Sequence, residues 1–233
     1  MASKLKCGVL LVALVAVLQT LSGAVLFDNL STPLGLFTTS SGQQVGDEIV
    51  LAGGAATVMG FSFEYFGSNF SSGESVQVSF YKNDGALSAG YASPNTLLWT
   101  SPSVSIPGTF DASSPPGTIY NNLVTFDATD LGGGVLVPGD FTWAVVFTGI
   151  GAGESAGPIL SSAPPATGLD YNDYWLNTGT VGSPNWVLMT SAPQNIDFLA
   201  QVNSVPEPST LALFGAGVIG LACLGFKRRV MQA

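Results

Sequence analysis

Short runs of alternating apolar and polar residues, separated by glycine and proline, constrain the fold of this chain more than any other feature. In residues 75–81, Val76, Val78 and Phe80 alternate with polar residues, which is the period-two pattern of a half-buried β-strand. The chain has 29 glycines and 14 prolines, above average usage, and they punctuate such runs regularly. Residues 25–204 show no helical period. The pattern predicts an all-β domain, a single β-sandwich of jelly-roll-like type.

The same reasoning predicts strands elsewhere in the domain. The predicted strands cover residues 57–66, 75–81, 96–100, 119–126, 141–148, 186–190 and 196–202. Asn83-Asp84-Gly85 follows one of these runs directly and supplies the chemistry of a hairpin turn. Residues 101–118 and 151–170 are rich in Gly, Ser, Ala and Pro, so we expect both to be long loops at one end of the sandwich.

The charge of the chain is distributed unevenly. All 15 acidic residues lie within residues 25–208, where Lys82 is the sole basic residue. Nucleic-acid binding is excluded because almost no positive charge is available to neutralise phosphates, and anionic membranes are disfavoured for the same reason. Cationic partners or metal ions fit the charge, although a solubilising surface is the simpler interpretation. No disulfide framework is expected, since both cysteines, Cys7 and Cys223, lie outside this region.

The N-terminal residues have the pattern of a secretory signal peptide. Two lysines precede an apolar run at residues 9–18, and small residues up to Ala24 suit a cleavage site. We expect signal peptidase to cut between Ala24 and Val25 and to remove residues 1–24. The apolar run is shorter than the roughly 20 residues that a membrane-spanning helix needs, and an uncleaved signal anchor is the alternative.

The C-terminal residues combine a Pro/acid motif, an apolar run and a basic end. Pro206, Glu207 and Pro208 precede an uncharged run at residues 209–226, which would span about 27 Å as a helix. We expect this run to be one transmembrane helix, because that length is close to the hydrocarbon core of a bilayer. Three basic residues then keep its end on the cytoplasmic side: Lys227, Arg228 and Arg229. Taken alone, these residues fit either a plain anchor or a processing signal with an extended proline segment for a membrane protease to grip.

This tail resembles the PEP-CTERM sorting signal of bacterial exported proteins. The family signal has the same three parts in the same order: a motif like Pro206-Glu207-Pro208, an apolar helix and a basic end. In the family, exosortase, a multi-pass membrane cysteine enzyme, recognises and cuts the tail, often in species that make exopolysaccharide. The resemblance implies that Pro206, Glu207 and Pro208 are recognition residues within a sorting signal at residues 205–229.

The domain between the two ends, residues 25–204, is similar to small secreted β-sandwich domains that precede alternative surface anchors in bacteria. The likeness lies in the opening residues 26–29, in residues 78–85 and in the late strand at residues 141–146. This resemblance implies a fold and a location outside the cell, and it implies no activity.

Clusters of oxygen donors suggest a calcium site. Asp170, Asn172 and Asp173 lie at loop spacing, and Asp127 with Asp130 precedes three consecutive glycines. Hard cations take carboxylate and amide oxygens from turns, but neither cluster completes an EF-hand loop. Because Asp and Asn are also common turn formers, ordinary turn chemistry is the alternative, and no other cofactor is expected.

A group of aromatic residues suggests carbohydrate binding. The group lies beside Asn and Asp and consists of Tyr171, Tyr174, Trp175 and Trp186. Exposed aromatic faces next to polar side chains suit the stacking of sugar rings, whereas buried ones would be ordinary sandwich core. A carbohydrate-binding module, with or without calcium, is therefore the alternative function.

An enzyme is not expected. Residues 25–208 contain no histidine or cysteine, which removes most nucleophilic and transition-metal sites, and no feature pairs two acids for glycoside hydrolysis. We expect an exported protein with a structural or adhesive role in or near an exopolysaccharide or biofilm matrix. Its expected partners are signal peptidase and exosortase, with a transient stay in the inner membrane before the cell surface or the extracellular space.

Overall fold

The computed structural model of the chain describes residues 23–31, 33–106, 121–190 and 196–204. Within it, Val25–Ser204 forms one compact unit. The described residues form strands, turns and isolated bridges and no helix, which confirms the predicted all-β fold. The predicted transmembrane helix and the signal peptide fall outside the described residues, apart from Gly23 and Ala24.

The described residues form fifteen strands in two curled sheets. The first eight strands are β1 (Val25–Asp28), β2 (Pro33–Leu36), β3 (Gln44–Val50), β4 (Ala56–Ser68), β5 (Ser75–Ser88), β6 (Tyr91–Thr100), β7 (Val104–Ser105) and β8 (Asn121–Phe126). The remaining strands are β9 (Val135–Val137), β10 (Asp140–Thr148), β11 (Ser155–Ser161), β12 (Leu169–Asp170), β13 (Asp173–Asn177), β14 (Trp186–Thr190) and β15 (Ala200–Ser204).

All strand pairs in the two sheets are antiparallel. The first sheet has seven strands in the order β1-β15-β4-β11-β2, and β8 and β9 also pair with the long β4. The second sheet has eight strands in the order β14-β13-β3-β10-β5-β6, with β12 on β3 and β7 on β5. Val25 pairs with Asn203, so the first and last strands of the unit are neighbours.

The inner faces of the two sheets share one hydrophobic core. The ring of Phe61 in the first sheet lies 5.1 Å from that of Phe80 and 5.2 Å from that of Trp143, both in the second sheet. Val76, Val78 and Phe80 are fully buried in this core, as their alternation predicts. Because aromatic side chains bury large apolar areas, these contacts hold the two sheets together.

The second sheet carries a smaller hydrophobic cluster on its other side, which we call the outer face. The cluster consists of Tyr81, Ala144, Trp175, Trp186 and Leu188. The sheet curls until β14 approaches β5 and β6. The rings of Tyr81 and Trp186 meet edge to face at 5.5 Å, and the backbone N–H of Leu188 donates to Ser88 Oγ at 3.1 Å.

The turn predicted at residues 83–85 is wrong, because β5 continues beyond them. The chain reverses at Ala89 and Gly90, which have positive φ angles of 52° and 94°. The predicted turn residues lie where the pairing of β5 and β6 shifts its register. There the carboxylate of Asp84 accepts hydrogen bonds from the backbone N–H and the hydroxyl of Thr96, at 3.0 and 2.8 Å. The side chain that favours a turn therefore stabilises an irregular hairpin instead.

The long loop predicted at residues 151–170 is also wrong, because β11 lies within it and pairs with both β4 and β2. Gly157 makes this pairing sterically accessible, since a Cβ atom there would collide with the carbonyl oxygen of Phe37. The backbone N–H of Phe37 donates to the carbonyl oxygen of Pro158, the residue after Gly157, at 3.1 Å. The glycine that favoured a loop in the sequence pattern here permits close approach of two backbones.

Candidate functional site

Successive residues of β3 alternate between the shared core and the outer face. Val45, Asp47 and Ile49 lie on the core side, whereas Gln44 and Glu48 lie on the outer side with Tyr81 and Trp175. The outer face thus gathers polar side chains around its hydrophobic cluster. What we call the outer-face site consists of Glu48, Asn83, Tyr91, Asp140 and Tyr171.

Glu48 is the most buried carboxylate of the outer-face site, with 9% of its surface exposed. The Nε1–H of Trp175 donates to its Oε2 at 3.3 Å. Burial, followed by the negative charge of Asp140, raises the pKa of Glu48 to about 7. The two carboxyl groups are close enough to share a hydrogen bond when one of them is protonated.

Asp140 is exposed, but its carboxylate is held in place by a short chain of hydrogen bonds. Asn83 Nδ2 donates to Asp140 Oδ1 at 2.6 Å, and Thr142 Oγ1 donates to Asn83 Oδ1 at 2.7 Å. Thr142 lies opposite Glu48 on β3 and opposite Tyr81 on β5. The sheet register therefore sets two carboxylates side by side before any ligand is bound.

Two tyrosines expose their rings at the outer-face site. Tyr91, the first residue of β6, is 54% exposed, and Tyr171, between β12 and β13, is 43% exposed. Burial raises the pKa of Tyr171, followed by the charges of Asp140 and Glu48. Tyr91 and Asp173 contribute in the same direction. The phenol of Tyr171 is thus within electrostatic reach of both carboxylates and of the other tyrosine.

The hydrophobic cluster forms the floor of this face and contains one unpaired polar atom. Trp186 is 7% exposed, and its Nε1–H has no hydrogen-bond partner among the described residues. Gln44 Nε2 donates to the hydroxyl of Tyr81 at 3.3 Å, and Asn177 Nδ2 donates to Gln44 Oε1 at 3.1 Å. A buried N–H without an acceptor costs about 1–3 kcal/mol of stability.

The four aromatic residues predicted to bind carbohydrate do not form one platform. Trp175 and Trp186 lie together in the outer-face cluster, but they are buried, at 0% and 7% exposure. Tyr174 faces the shared core, where its ring lies 4.8 Å from that of Phe37, because neighbouring strand residues point to opposite faces. Of the four, Tyr171 alone is exposed. The second exposed ring of the site, Tyr91, was missed because no local pattern distinguishes it.

The residues of the first predicted calcium cluster are divided between two short strands. Asp170 ends β12, Asp173 begins β13, and Asn172 is exposed between them. Asn29 Nδ2 donates to Asp170 Oδ2 at 3.3 Å, and burial raises the pKa of Asp170 to about 6. Burial also raises the pKa of Asp173. The carboxylate of Asp170 therefore helps to fix Asn29 beneath β15.

The second predicted calcium cluster is a hydrogen-bonded turn. Asp127 Oδ1 accepts from the backbone N–H groups of Thr129 and Asp130, at 2.7 and 3.2 Å. These hydrogen bonds are typical of an aspartate that forms a turn, which was the alternative to a calcium site. Across the described ranges, no group of three or more His, Cys, Asp or Glu side chains could hold a metal ion. Calcium binding stays a prediction.

A second pair of carboxyl groups, Asp47 and Asp197, is buried on the core side of β3, at 0% and 1% exposure. The backbone N–H of Phe198 donates to Asp47 Oδ2 at 2.8 Å. The Oδ1 atoms of both aspartates have no hydrogen-bond partner in the described part of the chain. Burial, followed by the charge of Asp197, raises the pKa of Asp47 well above its usual range. Burial, followed by the charges of Asp170 and Asp173, raises the pKa of Asp197 to about 7.

These buried acids predict that the protein becomes less stable as the pH rises above about 4. Because folding raises the pKa of Asp47, Asp197 and Glu48, the folded protein binds their protons more tightly than the unfolded chain. Their stabilising contribution is complete below the unfolded pKa and is lost as the pH rises to about 7. We expect a lower thermal midpoint at pH 8 than at pH 5, and Asp47→Asn should reduce the difference by several degrees.

Thermal denaturation followed by circular dichroism at several pH values measures this dependence. Asp130→Asn removes an exposed acid from the turn before β9, so this matched control should keep the wild-type pH dependence. If Asp47→Asn and the wild type lose the same number of degrees between pH 5 and pH 8, the role assigned to Asp47 is wrong.

The tail of the chain matches a known family. A family model described as the PEP-CTERM protein-sorting motif matches residues 204–229. No curated protein and no solved structure matches the chain. This motif implies an exported protein that is processed by exosortase, a membrane enzyme. The chain therefore carries a PEP-CTERM sorting motif, which confirms the resemblance of residues 205–229.

The residues predicted to act in sorting lie outside the described part of the chain. They are Pro206, Glu207, Pro208, Lys227, Arg228 and Arg229. The predicted signal cleavage site falls between Ala24 and Val25, the first residue of β1. Within the described ranges, no helix has the length and apolar character needed to cross a bilayer. The sorting motif itself implies an exported, membrane-anchored precursor.

Proposed function

We propose that the β domain has a non-catalytic structural or adhesive role in an extracellular polysaccharide or biofilm matrix. The observation that carries this proposal is the position of the sorting motif, which begins at Ser204, the last residue of β15. The β domain is therefore the part that exosortase would deliver to the exterior. The absence of histidine and cysteine from the sequence of residues 25–204 supports a non-catalytic role.

The proposed route begins with removal of residues 1–24 by signal peptidase. The run at residues 209–226 then holds the precursor in the inner membrane until exosortase acts at the motif around Glu207. The product resides at the cell surface or in the extracellular space. There the acidic surface of the domain keeps it soluble and separate from other anionic surfaces.

Carbohydrate binding is a second candidate function, and the outer-face site favours it. Tyr91 and Tyr171 expose their rings beside Asn83 and Asp140. Aromatic rings stack on the apolar faces of sugars, while amide and carboxylate oxygens accept hydrogen bonds from sugar hydroxyls. The hydrogen bond from Asn83 to Asp140 pre-orders the polar part of the site, which reduces the entropy cost of binding.

Binding of the purified protein to a panel of soluble polysaccharides separates the two candidates. A structural role alone predicts no saturable binding. A binding role predicts saturable binding that Tyr171→Ala weakens about two- to twelvefold, because an aromatic contact contributes about 0.5–1.5 kcal/mol. Leu136→Ala is the control, since Leu136 is 72% exposed on β9 of the other sheet.

The same panel contains the results that would contradict each candidate. An equal loss of binding in Tyr171→Ala and Leu136→Ala would remove the outer-face site as the binding surface. Release of shortened chains from a polysaccharide would show turnover and overturn the non-catalytic proposal. A mature protein that fractionates away from the host's extracellular polysaccharide would overturn the matrix role.

A further inference from the structure

The sorting motif and the last strand of the β domain share a residue. The matched motif begins at Ser204, which is also the last residue of β15. We propose that pairing of β15 with its neighbours slows exosortase, so that the fold of the β domain controls when its own tail is processed. This inference rests on the processing by exosortase that the motif implies, and it is independent of what the β domain binds.

β15 is an interior strand of the first sheet and lies between β1 and β4. All of its residues, Ala200–Ser204, have a partner on β4, and its last residue, Ser204, lies opposite Val58. Residues of β15 also pair with β1, where Asn203 lies opposite Val25. An interior strand uses its backbone N–H and C=O groups on both edges, so these groups are not available to pair with an enzyme.

The side chains of β15 also hold the strand in the sheet. Ala200 and Val202 are 0% exposed and belong to the shared core. The backbone N–H of Ala200 donates to Asn29 Oδ1 at 2.6 Å, and Gln201 Nε2 donates to Asp28 Oδ2 at 3.2 Å. Release of β15 exposes the buried side chains and breaks these hydrogen bonds, so the open form of a completed sheet has a small population.

Cleavage of a folded protein requires a segment that is accessible and unpaired. One residue, Val205, separates the end of β15 from Pro206, and an extended chain advances only about 3.4 Å per residue. A completed first sheet therefore leaves an enzyme very little free chain before the motif. An unpaired β15 adds Ala200–Ser204 to the segment that exosortase can bind.

Pairing of β15 and binding of exosortase thus compete for the same stretch of chain. Before β15 pairs, the segment is open and exosortase acts without delay. After β15 pairs, cleavage waits until the strand opens, and its rate follows the population of the open form. A chain whose first sheet closes before cleavage therefore keeps its tail longer.

Pulse-chase labelling in the native host measures the half-time of tail cleavage in the full chain. One variant carries a Gly-Ser spacer of about six residues between Ser204 and Val205, which separates the motif from β15 and keeps residues 205–229 contiguous. We expect its half-time to be at least about fivefold shorter than that of the wild type. The control carries the same spacer between Gly53 and Gly54, after β3, and should keep the wild-type half-time.

A second pair of variants changes β15 and leaves the tail intact. Val202→Ala removes two methyl groups from β15, and Val145→Ala removes the same groups from β10 of the second sheet. Both side chains are 0% exposed. Because Val202→Ala weakens the packing of β15 itself, we expect it to shorten the half-time at least about threefold, and Val145→Ala to have a smaller effect.

Three results would contradict the role of β15. They are an unchanged or longer half-time with the spacer after Ser204, an equal shortening by the spacer after Gly53, and equal effects of Val202→Ala and Val145→Ala. The spacer after Ser204 changes no residue of the β domain, so it tests the inference even if Val202→Ala fails to fold. If neither the wild type nor any variant loses its tail, processing by exosortase is itself wrong, and this outcome is distinct from the other three.

Discussion

Replacement of Pro206, Glu207 and Pro208 together by alanine is expected to leave the exported protein uncleaved in the membrane. The matched sorting motif covers these residues, so the change removes what exosortase recognises. The change also removes two prolines that oppose continuation of the predicted helix at residues 209–226. Intact mass and cell fractionation of the protein from its native host measure the result.

A control for this experiment changes a similar proline and acid in the β domain. Pro102→Ala with Asp130→Ala alters two exposed residues, and processing should remain normal. Deletion of residues 210–233 should release the β domain from the membrane, and its retention would show another anchor. Normal processing of the triple-alanine protein would refute the assignment of the motif.

Replacement of Trp143 by alanine is expected to produce a large loss of stability of the β domain. Its side chain is 0% exposed, and its ring contacts those of Phe61, Phe63 and Phe198 at 5.2, 5.6 and 6.1 Å. Truncation of a buried tryptophan leaves a cavity between the sheets and costs about 3–5 kcal/mol. That cost is a large part of the roughly 5–15 kcal/mol by which a typical domain is stable.

Urea denaturation followed by tryptophan fluorescence and circular dichroism measures the loss. Leu136→Ala serves as the control, because its side chain is 72% exposed and should change the free energy of unfolding by less than about 0.5 kcal/mol. Similar urea midpoints for Trp143→Ala and Leu136→Ala would contradict the position of Trp143 in the shared core.

The sequence predicted well those strands in which apolar and polar side chains alternate strongly. The run at residues 75–81 lies at the start of β5, and the predicted strand at residues 186–190 coincides with β14. Residues 141–148 likewise lie within β10, whose core-side residues are all buried. In these segments the local pattern agrees with the burial seen in the fold, so period-two alternation was sufficient to predict the strand.

One strand that sequence missed, β3, has residues with poor strand propensity. β3 contains Gly46, Asp47 and Glu48 in succession, and it nevertheless lies at the centre of the second sheet, between β13 and β10. A Cβ atom at Gly46 would crowd Thr142 and Ala144 on β10. Tertiary packing, rather than propensity, places this strand in the sheet.

The candidate site could not be read from the sequence, because its residues come from distant parts of the chain. Glu48 and Asp140 meet through the pairing of β3 with β10, and Tyr91 and Tyr171 reach them from separate segments. The predicted group at residues 170–175 was local, and the alternation of β13 divided it between two faces of the sheet. A signal was available only for the other carboxyl pair, on the core side: Asp47 stands between Val45 and Ile49, where an apolar residue would be ordinary.

The pairing of β1 with β15 sets the order of events during export. The N-terminal end leads during synthesis and export, so β1 leaves the cytoplasm at the beginning and β15 at the end. The register that joins Val25 to Asn203 therefore cannot form until the residues just before the sorting motif have been translocated. The first sheet is completed only when the motif itself becomes accessible. The register thus links completion of the first sheet to the passage of the residues that directly precede the motif.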